Sequence, residues 1–183
     1  KRILVLGGAG MLGHIVLEKL YGKDIFEVFD ITRRKDNRLN NFECDVTNLN
    51  SLFKIIKDIN PDYIINCIGV LIKDSIQDPS NAILINALLP HKLAQFSKTI
   101  NAKLIHISTD CVFDGSKGNY IETDNKTAQD TYGLSKSLGE INDDRNLTLR
   151  TSIIGPELKN HGEGLFSWFV KQKGEVSGFS ESI

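Results

Sequence analysis

A hydroxyl, a phenol and an ammonium occur in this chain at spacings suited to handling the proton of a carbonyl under reduction: Thr109 within Ser108-Thr109-Asp110, then Tyr132 and Lys136 within Tyr132-Gly133-Leu134-Ser135-Lys136. Tyr132 and Lys136 stand one helical turn apart, so on a helix they share a face and reach a common ligand. A free tyrosine has a pKa near ~10, too high for efficient proton transfer at neutral pH, and a neighbouring cation favours the tyrosinate. Lys136 is placed to be that cation and to bond a cofactor ribose, while Tyr132 gives its proton to the substrate oxygen. Thr109, at the end of an expected strand, donates to the same oxygen and holds the carbonyl in line. The bland alternative, a half-buried Tyr132 and a solvated Lys136, loses weight beside what stands at the amino end.

There, Gly7-Gly8-Ala9-Gly10-Met11-Leu12-Gly13 follows the apolar run Ile3 to Leu6. Glycines at 7, 10 and 13 permit a tight turn, close phosphate approach and tight helix packing, which is the pattern of a dinucleotide-binding loop. The pyrophosphate would lie at the start of the helix near Leu12, where free amides and the helix dipole favour anions. Cofactor preference turns on where the second strand ends in Val28-Phe29-Asp30-Ile31-Thr32-Arg33-Arg34. If Asp30 terminates it, the carboxylate binds the adenosine ribose and selects NAD. If the strand runs on to Thr32, Arg33 and Arg34 form a guanidinium pair suited to the 2'-phosphate of NADP, and the pair tips the preference to NADP.

The elements that must position these groups alternate. Apolar runs at Ile3 to Leu6, Phe26 to Ile31, Tyr63 to Ile68, Leu104 to Ile107 and Leu147 to Ile153 read as buried parallel strands, with Phe42 to Val46 as a further short one. Helical patterns fall at Leu12 to Tyr21, Ser51 to Ile59, Ser80 to Ile100, Thr131 to Asn142 and Leu165 to Lys173. The order predicts an α/β doubly wound parallel sheet of Rossmann type in three α/β/α layers. Asn50 or Ser51 is expected to cap the second helix, Asp78 with Pro79 to open the long one, and Pro90 to kink or interrupt it.

Composition narrows the function classes. The chain has 183 residues, a formal net charge of -1 and scattered basic residues, so nothing favours nucleic acid or an anionic membrane. No apolar run approaches the roughly 20 residues of a membrane helix, and the expectation is a soluble, cytoplasmic protein. Cys44, Cys67 and Cys111 are odd in number and widely spaced, which reads as reduced thiols, and His14, His91, His106 and His161 show no metal-ligand spacing. One NAD(P)-binding domain over residues 1–175 is expected, and residues 176–183 read as the truncated start of a C-terminal substrate-binding region.

Taken together, Gly7 to Gly13, Asn66, Ser108-Thr109-Asp110-Cys111-Val112-Phe113-Asp114-Gly115, Tyr132 to Lys136 with Gly139-Glu140, and Leu149-Arg150-Thr151-Ser152 resemble the extended short-chain dehydrogenase/reductases, and within them the dTDP-4-dehydrorhamnose reductase group. The resemblance implies an NADP- or NAD-dependent reductase of a nucleotide-linked 4-keto-6-deoxyhexose in deoxysugar or polysaccharide biosynthesis. It implies Thr109, Tyr132 and Lys136 as the catalytic set and Gly10, Met11 and Leu12 at the pyrophosphate. By the same resemblance Asp45 and Val46 lie at the adenine, Cys67, Ile68 and Gly69 at the cofactor's middle, and Asp110 and Ile153 beside the sugar; a homodimer is left open. The group usually carries Tyr in place of Cys111 and Trp in place of Ile153. Two other readings stand: a nucleotide-sugar 4-epimerase, which can run on the same groups, and a non-catalytic NAD(P)-binding regulatory protein of the same fold.

Overall fold

Six parallel strands form one sheet in the order β3-β2-β1-β4-β5-β6. They are β1 (Arg2–Leu6), β2 (Glu27–Thr32), β3 (Asn41–Glu43), β4 (Tyr63–Asn66), β5 (Lys103–Thr109) and β6 (Leu147–Thr151). The structure, a computed structural model, describes residues 1–158, 162 and 164–178; the last part of the C-terminal region expected at 176–183 lies outside the described residues. In register, Leu6 lies opposite Ile31 on one side and Asn66 on the other, and Asn66 opposite His106, so the strands finish near one edge. Strand order reverses beside β1, and in such sheets ligands bind in the crevice beyond the strand ends at that point.

Alternation along β1 divides the core. Leu4 and Leu6 join the larger cluster with Ile56, Leu93 and Leu104, whereas Val5 faces the opposite layer with Leu17 and Val28. A strand covered on both faces needs apolar residues at every position, and Ile3 to Leu6 supply them. The connecting helices are α1 (Met11–Leu20), α2 (Leu49–Ile59), α3 (Ile72–Gln77), α4 (Pro79–Ala82), α5 (Leu89–Thr99), α6 (Thr131–Leu138) and α7 (Leu165–Phe169).

Local differences from expectation have local causes. α2 starts before Asn50 and Ser51 because Asn48 is its cap, accepting from Ser51 N at 3.1 Å. α4 opens as expected, with Asp78 accepting from Asn81 N at 3.0 Å and Pro79 in the first turn. At Pro90 the helix changes pitch: a π-helical turn, Ile83–Leu88, precedes α5, and Leu89 N–H bonds Leu84 O five residues back. α6 stops at Leu138, short of the expected Asn142, where Gly139 presses on the π turn so closely that a Cβ there would stand 1.8 Å from Asn86 O. α7 likewise ends at Phe169 rather than Lys173. α3 was not expected; it is one short stretch in which Ile72 and Ile76 are exposed and carry no core-facing period.

Candidate functional site

The loop from β1 to α1 is a tight turn that leaves the start of α1 open. Gly7 holds φ at +87°, a conformation side chains disfavour, and Gly10 N–H returns to Gly7 O at 2.9 Å to close the turn. A Cβ on Gly13 would lie 2.2 Å from Gly7 O, so glycine there lets α1 sit tight against the loop. α1 begins at Met11, is capped by no side chain and has no acidic residue in its first turn, while Ala9 and Gly10 are exposed. Its free amides and dipole therefore suit an anion.

The second strand runs to Thr32, because β3 pairs with residues 30 to 32. The alternative in which Asp30 ends the strand and meets the ribose therefore does not hold. The Asp30 carboxylate is fully buried behind the glycine loop, accepting from Gly8 N at 3.1 Å and Asn41 Nδ2 at 2.9 Å, with Arg38 Nη2 at 2.8 Å. Burial pushes its pKa up, and Arg38, Asn41 and Gly8 oppose that rise. Arg38 also donates to Gly8 O at 2.9 Å, so both peptide groups of Gly8 are held, and a Cβ there would meet Asp30 Oδ1 at 2.3 Å. Thr32 is buried, donating to Arg34 O at 2.8 Å and accepting from Asn41 at 2.9 Å; Arg33 and Arg34 follow it, both exposed. Arg33 contributes to lowering the pKa of Asp45, an exposed carboxylate held chiefly by Thr47, whereas Val46 is buried in the core.

Beyond β4, Cys67 N–H bonds Leu6 O at 3.0 Å, and the Ile68 side chain lies 2.9 Å from where a Cβ of Gly7 would be. Gly69 is exposed, and a Cβ on it would stand 4.0 Å from Lys136 Nζ. This stretch therefore bridges the glycine loop and Lys136. Burial drives the Cys67 thiol up to about 12, so it stays neutral. The residue holding this stretch in place is Asn86, which went unassigned from sequence: its side chain accepts from Val70 N at 2.8 Å and donates to Val70 O at 2.9 Å and Ser135 Oγ at 3.1 Å. Its signal was an asparagine inside the apolar run Ile83 to Leu89, which once buried needs partners.

Thr109 closes β5 and caps the 3-10 turn Asp110–Val112, accepting from Cys111 N at 3.1 Å while its hydroxyl donates to Asp110 Oδ1 at 3.1 Å. α6 starts on the Asp130 cap, which accepts from Gly133 N at 3.0 Å, and presents Tyr132 and Lys136 one turn apart. Burial raises the Tyr132 pKa, and the Thr109 hydroxyl is the group that lowers it. Lys136 is 4% exposed and donates to Ile107 O at 2.7 Å. Burial brings its pKa down to about 8, against the opposing pull of Glu140. In this state the cation expected to act on the phenol is thus engaged by a backbone carbonyl on β5.

Beyond Thr109 along the chain, a cavity of about 610 Å³ is lined by Asp110, Cys111, Phe113, Tyr120, Arg150 and Thr151 among others. Ile153 is partly exposed at 37% and is not among its lining residues. Among the described residues no group of His, Cys, Asp and Glu is clustered to hold a metal ion, and no helix is long and apolar enough to cross a membrane.

The family model described as RmlD substrate binding domain matches residues 1–174. A dTDP-4-dehydrorhamnose reductase of Aggregatibacter actinomycetemcomitans is 33% identical over 87% of this chain and 54% of its own length. The methionine adenosyltransferase 2 subunit beta of Bos taurus is 31% identical over 76% of this chain and 42% of its own. Among solved structures, a hypothetical dTDP-4-dehydrorhamnose reductase from Sulfolobus tokodaii superposes with a TM-score of 0.73 at 34% identity, covering 82% of this chain and 55% of that one. The Bacillus anthracis dTDP-4-dehydrorhamnose reductase in complex with NADP gives a TM-score of 0.65 at 28% identity, covering 76% and 47%. The chain spans about half the length of the curated relatives it matches. A Rossmann sheet with a three-glycine loop and a match along nearly all its residues place this chain in the RmlD family of extended short-chain dehydrogenase/reductases, at a distance of about 30% identity from the dTDP-4-dehydrorhamnose reductases.

Proposed function

We propose that this chain is the cofactor-binding and catalytic part of an NADP(H)-preferring reductase acting on a nucleotide-linked 4-keto-6-deoxyhexose. The observation that supports the reading is that Tyr132 and Lys136 stand one turn apart on α6, with the Thr109 hydroxyl at the end of β5 acting on Tyr132 and Gly69, past the end of β4, near Lys136. Bound nicotinamide cofactor would supply the hydride. The chain's own residues do the rest. Tyr132 gives its phenolic proton to the carbonyl oxygen as negative charge grows there. Thr109 donates a second hydrogen bond to that oxygen, releasing Asp110 to do so. Lys136 exchanges its bond to Ile107 O for the cofactor ribose and the neighbourhood of the phenol, where its positive charge eases loss of the proton. Asp110 and Thr151 border the cavity in which the sugar would sit.

NADP is favoured over NAD in this reading because β2 ends at Thr32 and is followed by exposed Arg33 and Arg34, while Asp30, the group that would repel a 2'-phosphate, is buried and neutralised by Arg38. The test follows reduced-nicotinamide absorbance while the chain is mixed with NADPH or NADH and a dTDP-4-keto-6-deoxyhexose. Oxidation is expected, and Tyr132→Phe should abolish it while leaving cofactor affinity within about twofold. Undiminished oxidation by Tyr132→Phe would refute the assignment. A second reading, a cofactor-binding subunit of another enzyme, is supported by the comparable identity to a methionine adenosyltransferase subunit. It predicts NADPH binding with no oxidation across a panel of nucleotide sugars.

A further inference from the structure

Two residues near the site remain without a task after Thr109, Tyr132 and Lys136 have been given theirs. Glu140 stands just past the Gly139 cap of α6, and its side chain is only 7% exposed. Its carboxylate accepts from Ser108 Oγ at 2.8 Å, from Arg150 Nε at 2.8 Å and from Arg150 Nη2 at 2.8 Å, and Lys126 Nζ lies 3.2 Å away. Both oxygens are thus occupied by a two-pronged arginine contact with one hydroxyl and one ammonium added. Arg150 is itself tied down, with its guanidinium 5.0 Å from the centre of the Phe113 ring and Nη1 donating to Glu122 O at 3.3 Å.

The position of the clamp in the chain gives it meaning. Three consecutive residues of β5 lead to the site: Ile107, whose carbonyl takes Lys136; Ser108, whose hydroxyl takes Glu140; and Thr109, whose hydroxyl acts on Tyr132. Register places Ser108 opposite Arg150 on β6. One buried carboxylate therefore joins the end of the helix carrying the phenol and the ammonium, the strand carrying the hydroxyl, and the neighbouring edge strand.

We propose that Glu140 is a positioning residue, which with Arg150 locks Ser108 and hence Thr109 against α6, so that hydroxyl and phenol meet on one carbonyl oxygen with the ammonium near the phenol. The proposal rests on the reductase reading for the identity of that oxygen. Misplacement by about 1 Å at a site of this kind can cost on the order of 100-fold in rate. Glu140 also carries the negative charge that opposes the effect of burial on Lys136, while Arg150 and Lys126 balance Glu140 itself.

The experiment uses the full chain with Glu140→Gln and, as a partner that keeps the charges, Arg150→Lys. Two quantities are read: steady-state oxidation of NADPH with a dTDP-4-keto-6-deoxyhexose, and the titration of the Lys136 methylene by carbon-13 NMR in cofactor-free protein, assigned with Lys136→Arg. Glu140→Gln should lower kcat by about 10- to 100-fold with the KM for NADPH within about twofold, and lower the Lys136 titration midpoint by about one pH unit. Arg150→Lys, which loses the fork but not the charge, should lower kcat by about 5- to 10-fold and leave the Lys136 midpoint in place. Wild-type kcat in Glu140→Gln, or a loss of kcat matched by an equal loss of folded protein, would overturn the proposal. Should the wild type oxidise NADPH with no nucleotide sugar, the reductase reading fails on its own. The NMR midpoint then decides separately: an unmoved Lys136 in Glu140→Gln would remove Glu140 from the site as well.

Discussion

Lys136→Met should make the free protein less dependent on alkaline pH for its stability, and the size of the effect follows from burial. Lys136 is 4% exposed, and its pKa falls from 10.5 to about 8. That fall corresponds to about 3 kcal/mol between the charged and neutral forms of the folded protein. Since the folded pKa lies below the unfolded one, the unfolded chain binds more protons between pH 8 and 10.5, and wild-type stability rises across that window. Below pH 8 the penalty for a buried ammonium is fully present. Methionine keeps the apolar stem and discards the charge, at the loss of the bond to Ile107 O, worth about 1.5–3 kcal/mol for a charged donor. At neutral pH these opposing terms leave the variant between equal to the wild type and about 1.5 kcal/mol more stable. The change with pH is the sharper quantity, because other titrating groups are common to both proteins. Urea unfolding of both from pH 7 to about pH 11 should show the variant's advantage shrinking by about 3 kcal/mol. A difference that stays flat across that range would mean that Lys136 is not held as a buried cation in the free protein, and the argument from burial would fall.

Replacing Arg33 and Arg34 together by serine should weaken NADPH binding by about 10- to 100-fold and leave NADH unchanged, read by fluorescence titration of each cofactor. Arg38→Met should behave differently, weakening both cofactors alike, because it strips Gly8 O and the buried Asp30 of their partner and loosens the loop both cofactors use. Its cost in urea unfolding should be about 3 kcal/mol, at the low end for breaking a buried pair, since the Arg38 side chain is 27% exposed. Gly13→Ala should lose binding of either cofactor along with stability, since its Cβ would stand 2.2 Å from Gly7 O; a variant that binds NADPH normally would show that α1 can back away from the loop.

The sheet and the glycine loop are legible from sequence because their signals are local: unbroken apolar runs for buried parallel strands, and glycines where a turn leads into a helix. Tyr132 and Lys136 share a helix face by spacing alone. What escaped depends on partners far along the chain. Whether the second strand ends at Asp30 or runs on to Thr32 depends on the pairing of β2 with β3 across residues 30 to 32, which no local pattern reveals. The expected cation beside Tyr132 is engaged by Ile107 O on another strand, and Asn86 acts through Val70 and Ser135. The cap at Asn48 rather than Asn50 or Ser51, and the π turn before Pro90, are choices among near-equal local options that packing decides.

The place of β1 in the sheet governs the order in which the molecule can mature. It is made before β2 and β4, the strands that flank it, and is one of the two central strands, paired by Leu6 to Ile31 and to Asn66. From Ile3 to Leu6 it is apolar throughout, so during synthesis it waits with one flank uncovered until β4 has emerged. The glycine loop inherits that delay, because Cys67 N–H anchors to Leu6 and Ile68 lies against Gly7. On the proposed reading, dinucleotide affinity would be acquired only once β4 has docked, and cofactor present during synthesis would stabilise the chain from that moment and not before.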